Sequence, residues 1–462
     1  MASKANEVSL DVVKEVFGGS LYGFGRGYYV VLELLAILWG INQVDPSAFF
    51  SVEGPIRYAR RGHDFTRRLL RDPERFFGGS GPEGVVLDEE VLLLLGDLYR
   101  GIVVPIPFRT KVPEWGGFHL FPYSGELIHY DSVDRKSKET GQMEPHIERY
   151  AYRGGGALVY ELLRSDPKES RRSESSLGLR ALIGDSGSPL GRVTDVLGLA
   201  DSGHANPTTD ETCLPHSLDR DTGWLETLRE GVCNILRSGE VNARKIDQLC
   251  HWVPFALASH QLELAWRELG ESVPAIPVDI SVGGALRRES QRRFDRNRRA
   301  IWQSLIARSA TKSLGASGPE REILHKLEQN GRATWNSDVE QFYSATLAVI
   351  GGINHNTGLR HYTLKQGLLD SIIAATVSDP EGVPFDDFCH EILWRRLGLV
   401  VDERSARVAG LPELVNGAAF ARNSRSLEDL LASTGLMVTL SDATRFVGAT
   451  SSWAHSPDGE RE

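Results

Sequence analysis

Seven arginines fall within thirteen consecutive residues of this chain: Arg287, Arg288, Arg292, Arg293, Arg296, Arg298 and Arg299, with only Glu289 and Asp295 among them. A guanidinium taken out of water without a partner costs several kcal/mol, so no fold buries this segment whole. On a helix, Arg288, Arg292, Arg296 and Arg299 stand at i, i+4, i+8 and i+11 and align into one stripe. Phe294, Ile301 and Leu305 form an apolar side elsewhere on the same helix. The spacing predicts a long helix over Leu286–Arg308.

The stripe stands out against an acidic background. Across 462 residues, 52 Lys+Arg face 62 Asp+Glu, a net charge of −10, which excludes a uniformly basic coat for nucleic acid but not a single basic face. Phosphates suit the bidentate guanidinium fork, and acidic surfaces of this protein or another subunit are the alternative partner. A second cluster, Arg57, Arg60, Arg61, Arg67, Arg68, Arg71 and Arg75, is diluted by Asp64, Asp72 and Glu74, which satisfy much of it internally.

Cys213, Cys233, Cys250 and Cys389 contain no C-x-x-C pair and are too sparse for a disulfide framework, so a reduced, cytoplasmic setting is expected. The most apolar run, Tyr28 to Ile41, is too short to span a bilayer, contains Glu33, and reads as a buried core helix. The first residues lack an apolar signal core, and neither export nor membrane association is expected.

The expected fold class is α+β, predominantly α-helical and multidomain. A mixed α/β domain is expected over residues 1–164, with a helical run over Glu89–Tyr99 and short strands near residues 102–108, 117–121 and 127–130. From 165 to 222 the composition shifts to Ser, Asp, Gly, Pro and Thr, and a flexible loop or linker is expected there. A helical domain follows over 223–345, with helices Gly223–Leu236 and Val241–Leu269 ahead of the arginine-rich one. Residues 451–462 read as a disordered tail.

The range 346–450 predicts three helices and a hairpin: Leu364–Val377, Pro384–Leu397 with Pro384 at its first position, and Leu427–Ser433 capped by Ser426, then β-prone Leu436–Leu440 and Thr444–Val447 around a turn at Ser441-Asp442. That order is the order of a winged helix, a helix-turn-helix relative that docks on DNA or on protein. Arg422, Arg425 and Arg445 would touch phosphates, while Glu428 and Asp429 would repel them.

Catalytic signals are sparse. Gly184-Asp185-Ser186-Gly187-Ser188-Pro189-Leu190 matches the nucleophile segment of trypsin-like proteases without the strands or histidine that such a site needs, and reads as a small-residue turn. Asp134-Arg135-Lys136 matches half of a restriction-type nuclease site. His204, Cys213, His216 and Cys233 match no common zinc spacing, and no metal or cofactor is expected. There is no G-x-x-x-x-G-K-[ST] phosphate loop, so this chain is expected to perform no nucleotide hydrolysis itself.

Val278-Asp279-Ile280 with Leu286-Arg287-Arg288, Gly351-Gly352, Leu359-Arg360-His361-Tyr362-Thr363-Leu364, Phe385-Asp386-Asp387-Phe388 and Leu397-Gly398-Leu399-Val400-Val401 carry a family likeness. Over roughly residues 240 to 450 the chain resembles the DptG-like accessory subunits of bacterial phosphorothioation-dependent defence systems. The resemblance implies a non-catalytic subunit accompanying a HerA-type helicase ATPase, with DNA and other defence subunits as partners. It brings no catalytic motif. The DNA-binding candidates are therefore Arg288, Arg292, Arg296, Arg299, Arg422, Arg425 and Arg445, and the competing readings are a hydrolase (a Ser186 protease or an Asp134/Lys136 nuclease) and a winged-helix transcription regulator.

Overall fold

The apolar run that begins at Tyr28 is a helix, and its one acid explains how it is held. A computed structural model describes residues 2–19, 21, 28–52, 54–60, 88–91, 93–94, 97, 132–136, 141, 143–147, 155–183, 208–211, 223–330, 339–355, 358–411, 415–440 and 444–448. These residues are predominantly helical, with few and short strands. The chain divides into two compact units, Tyr28–Leu214 and a second made of Met1–Gly27 with Pro215–Glu462.

In the Tyr28–Leu214 unit, α2 (Tyr28–Val44; α1 precedes it in the other unit) buries Val31, Leu35, Leu38 and Ile41. Helix α3 (Gly155–Arg164) lies so close that a Cβ on Gly156 would sit 2.5 Å from the Leu34 backbone nitrogen. Gly156 N–H donates to Glu33 Oε2 at 2.6 Å, which satisfies the acid inside an apolar helix. No described helix is long and apolar enough to cross a membrane.

The range 165–222, expected as loop or linker, contains helix α4 (Glu169–Ile183). Its serine-rich composition conceals buried Leu179, Leu182 and Ile183, and Asp166 fixes the entry by accepting from Lys168 N–H and pairing with Arg171. Strand β1 (Arg57–Arg60) pairs antiparallel with β4 (Thr208–Glu211), and β2 (Ser132–Lys136) with β3 (Met143–Ile147). Residues 89–91, 93–94 and 97 are helical. The strands expected near 102–108, 117–121 and 127–130 lie outside the described residues, as does the tail.

The second unit is organised around α6 (Asn242–Glu268), which is buried on nearly every side and therefore must be surrounded. Helices α5 (Gly223–Arg237), α7 (Gly284–Gly315), α9 (Val339–Ile350) and α10 (Gln366–Thr376) pack against it, and so does α1 (Ala2–Phe17). The α5–α6 approach needs Gly231, where a Cβ would meet the Trp252 indole at 2.3 Å. Helix α8 (Gly318–Asn330) folds back on α7, and Lys312 of α7 donates to Glu15 of α1 at 2.6 Å. Two-residue strands β5 (Ile276–Pro277) and β7 (Leu399–Val400) pair in parallel.

The C-terminal helices differ in detail from their expected forms. Pro384 stands one place before the first helical residue: it is the N-cap of the turn that follows and also ends strand β6 (Val383–Pro384), where it faces Phe446 at a sheet edge that tolerates its missing N–H. One helical turn, Phe385–Asp387, then widens into a π-helix, Phe388–Arg396. After α11 (Glu403–Val408), the expected short helix at Leu427 is the second half of α12 (Gly417–Ser433). Its cap is Asn416, whose Oδ1 accepts from Ala418 N–H at 2.8 Å, and Ser426 lies inside it. The hairpin is present as β8 (Met437–Thr439) and β9 (Arg445–Val447), with β9 between β6 and β8. Its turn, Ser441-Asp442, lies outside the described residues.

His260 on α6 is buried, and that burial, with Arg267 and Arg229 nearby, lowers its pKa from 6.5 to about 4. As pH falls from 6.5 toward about 4, the unfolded chain takes up this proton before the native one does, so stability is lost through that window. The cost approaches about 3 kcal/mol. Urea midpoints at pH 7 and pH 4 should show a smaller acid loss for His260→Gln than for the parent, and equal losses would contradict this account.

Candidate nucleic-acid interface

The arginine run lies on α7, and the helix sorts it by angle. Leu286, Ser290, Phe294, Asn297, Ile301 and Leu305 are buried and define the inner face. Arg288, Arg292, Arg296 and Arg299 are exposed, about 180° away at 100° per residue. The remaining three sit on the flanks and are paired inward. Arg287 Nε donates to Asp279 Oδ2 at 2.8 Å, Arg293 faces buried Glu289 at 3.6 Å, and Arg298 meets buried Glu340 at 3.1 Å.

The outer four keep only loose attachments. Arg292 is 3.5 Å from Glu289 with its side chain 73% exposed, and Arg296 is 3.3 Å from exposed Glu271 while its guanidinium lies 4.9 Å from the Trp266 ring centre. Arg299 Nε donates to its own helix at the Asp295 carbonyl, and Arg288 makes no ion pair among the described residues. Exposed pairs of this kind contribute about 0–1 kcal/mol, so they yield readily to a stronger anion.

A polar network fixes the inner face. Asn297 Nδ2 donates to Tyr362 Oη at 2.8 Å, Trp266 Nε1 donates to Asn297 Oδ1 at 3.2 Å, and the Tyr343 and Tyr362 hydroxyls share a hydrogen bond at 2.6 Å. Burial pushes both phenols above the ordinary tyrosine range. Tyr362 N–H donates to Ser290 Oγ at 2.9 Å. Helices α6, α7 and α9 are thus tied to one extended segment, and α7 cannot roll its arginines inward.

No protein-family model, curated protein or solved structure matches this chain.

The other basic candidates lie on α12 and its hairpin. Arg422 and Arg425 are exposed and make no ion pair among the described residues. Asn423 between them is fully buried: its Nδ2 donates to the Val278 and Val401 carbonyls at 2.9 and 3.0 Å, and its Oδ1 accepts from Ile280 N–H at 2.9 Å. One amide thereby fastens α12 to the chain around both parallel strands. Leu286, Val400, Ala406, Leu411, Val415, Ala419 and Phe420 close the core beneath it.

Arg445, expected to touch phosphates, is instead held within the fold. It pairs with Glu428 at 2.6 Å and Asp386 at 3.6 Å, with its guanidinium 5.0 Å from the Phe385 ring centre. The same pairing changes the reading of Glu428, whose charge is taken up by Arg445. Asp429 remains exposed.

The other candidates do not converge. Ser186 and its motif, His204, Cys213 and His216 lie outside the described residues, as do Arg61, Arg67, Arg68, Arg71 and Arg75. Asp134 and Lys136 lie on β2, in register with Pro145 and Met143. Arg57 and Arg60 are the two ends of β1. Cys233, Cys250 and Cys389 are buried thiols outside any disulfide, and no group of metal-binding side chains occurs among the described residues.

Sequence reasoning misses the site's central acid. Asp279 is fully buried; its Oδ1 accepts from Val282 N–H at 2.8 Å and Gly283 N–H at 3.0 Å, its Oδ2 accepts from Arg287, and His361 Nε2 lies 3.7 Å away. Burial holds the His361 ring below the usual imidazole value, opposed by Asp279. The legible signal is Asp279 set four residues before Gly283-Gly284, an acid followed by a turn into a helix.

Asn423→Ala should destabilise the second unit by about 3 kcal/mol, because three backbone groups are left without their partner in a dry site. Asn423→Asp, of the same shape, should be no better, since it sets a carboxylate against two carbonyls. Urea titration followed by tryptophan fluorescence checks both, and a loss under about 1 kcal/mol for each would refute the staple role.

Proposed function

We propose that this chain is a non-catalytic, DNA-binding or scaffolding subunit of a bacterial anti-phage defence complex of the modification-dependent type, acting in the cytoplasm beside a separate HerA-type ATPase. The observation that carries this reading is the outer face of α7, where four aligned, weakly attached guanidiniums stand on an acidic protein. Nucleic-acid phosphates at their regular spacing suit such a row, and Arg forks bind them bidentately. The resemblance over residues 240 to 450 supplies the defence context and the ATPase partner.

The C-terminal part is read as a winged helix. Three features support this: α10, β6, the π-helix, α12 and the β8–β9 hairpin follow in that order; β9 is the middle strand; and α12 offers Arg422 and Arg425 on its exposed side. In this reading α12 enters a groove and α7 grips the backbone alongside. The Arg445–Glu428 pair removes one of the two acids that would oppose that approach. Arg445 contributes by positioning and does not itself touch the DNA.

The test is salt-dependent binding of a duplex to the full chain. Replacing Arg288, Arg292, Arg296 and Arg299 by Glu should abolish retention at low salt, and Arg422→Glu with Arg425→Glu should weaken it. Neutral Gln replacements should lower the slope of log K against log salt by about 0.9 for each phosphate that is no longer neutralised. Unchanged binding and slope in the α7 variants would overturn the DNA role.

A further inference from the structure

Beside the start of α10 lies an open pocket of about 590 Å³ that sets cationic and polar side chains beside apolar Ile280, Leu364 and Leu430. Arg287, His361 and Lys365 line it together with Ser281, Asn354 and Gln366, and no acidic residue is among the described lining residues. Arg287 binds Asp279 below it through Nε, while its side chain remains 44% exposed. The Asp279 oxygens are already occupied by two backbone N–H groups and this guanidinium. Lys365 Nζ has only a 3.4 Å contact to the Asn354 carbonyl.

Two further features point to a ligand. Lys365 stands at the N-cap of α10, an eleven-residue helix, yet no side chain caps its first turn, and Gln366 brings that turn into the pocket wall. Unsatisfied N–H groups and the positive end of the helix dipole favour an anion at such a place. His361, only 7% exposed, lines the same pocket; its ring interacts with the Leu359 backbone and with Asp279, but its Nδ1 makes no hydrogen bond of ordinary geometry. A buried polar atom without a partner is costly and calls for one.

We propose that this pocket binds a phosphate group, held by Arg287, Lys365 and the first turn of α10, with His361 completing the wall. The site is separate from the α7 stripe and does not depend on it. The phosphate belongs either to a free nucleotide or to a nucleic-acid backbone, and the same set of donors serves both.

The test uses the full chain with inorganic phosphate, ATP and a duplex without terminal phosphates. Calorimetric titration at constant ionic strength should show saturable binding of phosphate or ATP. Gln366→Glu places a carboxylate at the pocket wall yet suits a helix N-terminus, so it should fold normally and bind at least about tenfold more weakly. Lys365→Gln should weaken binding less. The α7 quadruple Glu variant should bind phosphate as the parent does, which separates this site from the DNA role proposed above. If ATP binds and Gln366→Glu leaves duplex affinity intact, the ligand is a free nucleotide. If Gln366→Glu weakens the duplex by the same factor, the pocket takes a backbone phosphate. Absence of saturable binding by phosphate, ATP and duplex alike, or equal affinities in parent and Gln366→Glu, would overturn the proposal.

Discussion

The hydrogen bond that the Asn297 amide donates to the Tyr362 hydroxyl decides how α7 is turned, and the orientation of its arginines follows from that turn. A 32-residue helix rich in arginine has little apolar surface to hold it, so a generic hydrophobic stripe would leave its rotation weakly specified. A buried network has no such freedom. Asn297, Ser290, Trp266, Tyr343 and Tyr362 satisfy one another only in one arrangement, and rotating α7 by one residue would strand their polar atoms in a dry interior. The Tyr362 segment also holds Asp279, whose N–H donates to the Tyr362 carbonyl at 3.0 Å. Rotation of α7, the seat of Asp279 and the flank of the phosphate pocket are therefore one constraint.

Charge is distributed to the same end. The arginines on the flanks of α7 meet carboxylates that are themselves buried, where a missing partner would be costly; those on the outer face keep their own side chains exposed, Arg292 touching Glu289 only at 3.5 Å and Arg296 meeting exposed Glu271. The net charge of −10 thus conceals a division of labour. Inner guanidiniums stabilise the fold, and outer ones leave a positive field, felt only within about 10 Å at ordinary salt. Any anion that uses that field must lie directly on the helix.

Legibility in the sequence follows the strength of local signals. The helices of the second unit are readable because their apolar positions recur at helical spacing, and the stripe on α7 is readable because it is a pattern within one helix. Residues 388–396 are readable as helical but not as π, since a shift from i−4 to i−5 pairing, as in Leu397 N–H to the Ile392 carbonyl, is imposed by packing. The first half of α12 is hidden because Arg422, Ser424, Arg425 and Ser426 dilute its apolar face, while the Asn416 cap is a single residue. In α4 a serine-rich stretch is held by the Asp166–Arg171 pair and three buried aliphatics near its end. Asp279, His361 and Lys365 are up to 86 positions apart, and the tertiary fold joins them through the Asp279 N–H bond to the Tyr362 carbonyl.

Arg445 shows why composition alone misplaces a basic site. It has the same sequence context as a phosphate-binding arginine, a basic residue on the strand of a hairpin beside a helix. Yet three partners converge on it: Glu428 from α12, Asp386 from the turn after β6, and the Phe385 ring. A guanidinium so occupied must surrender its pairs before it can bind a phosphate, and the two carboxylates it leaves would then repel that phosphate. Arg422 and Arg425, about two turns and one turn before Glu428, are not committed in this way. The difference lies in what the fold brings beside each arginine: Arg445 is occupied by its own neighbours, whereas Arg422 and Arg425 are left exposed.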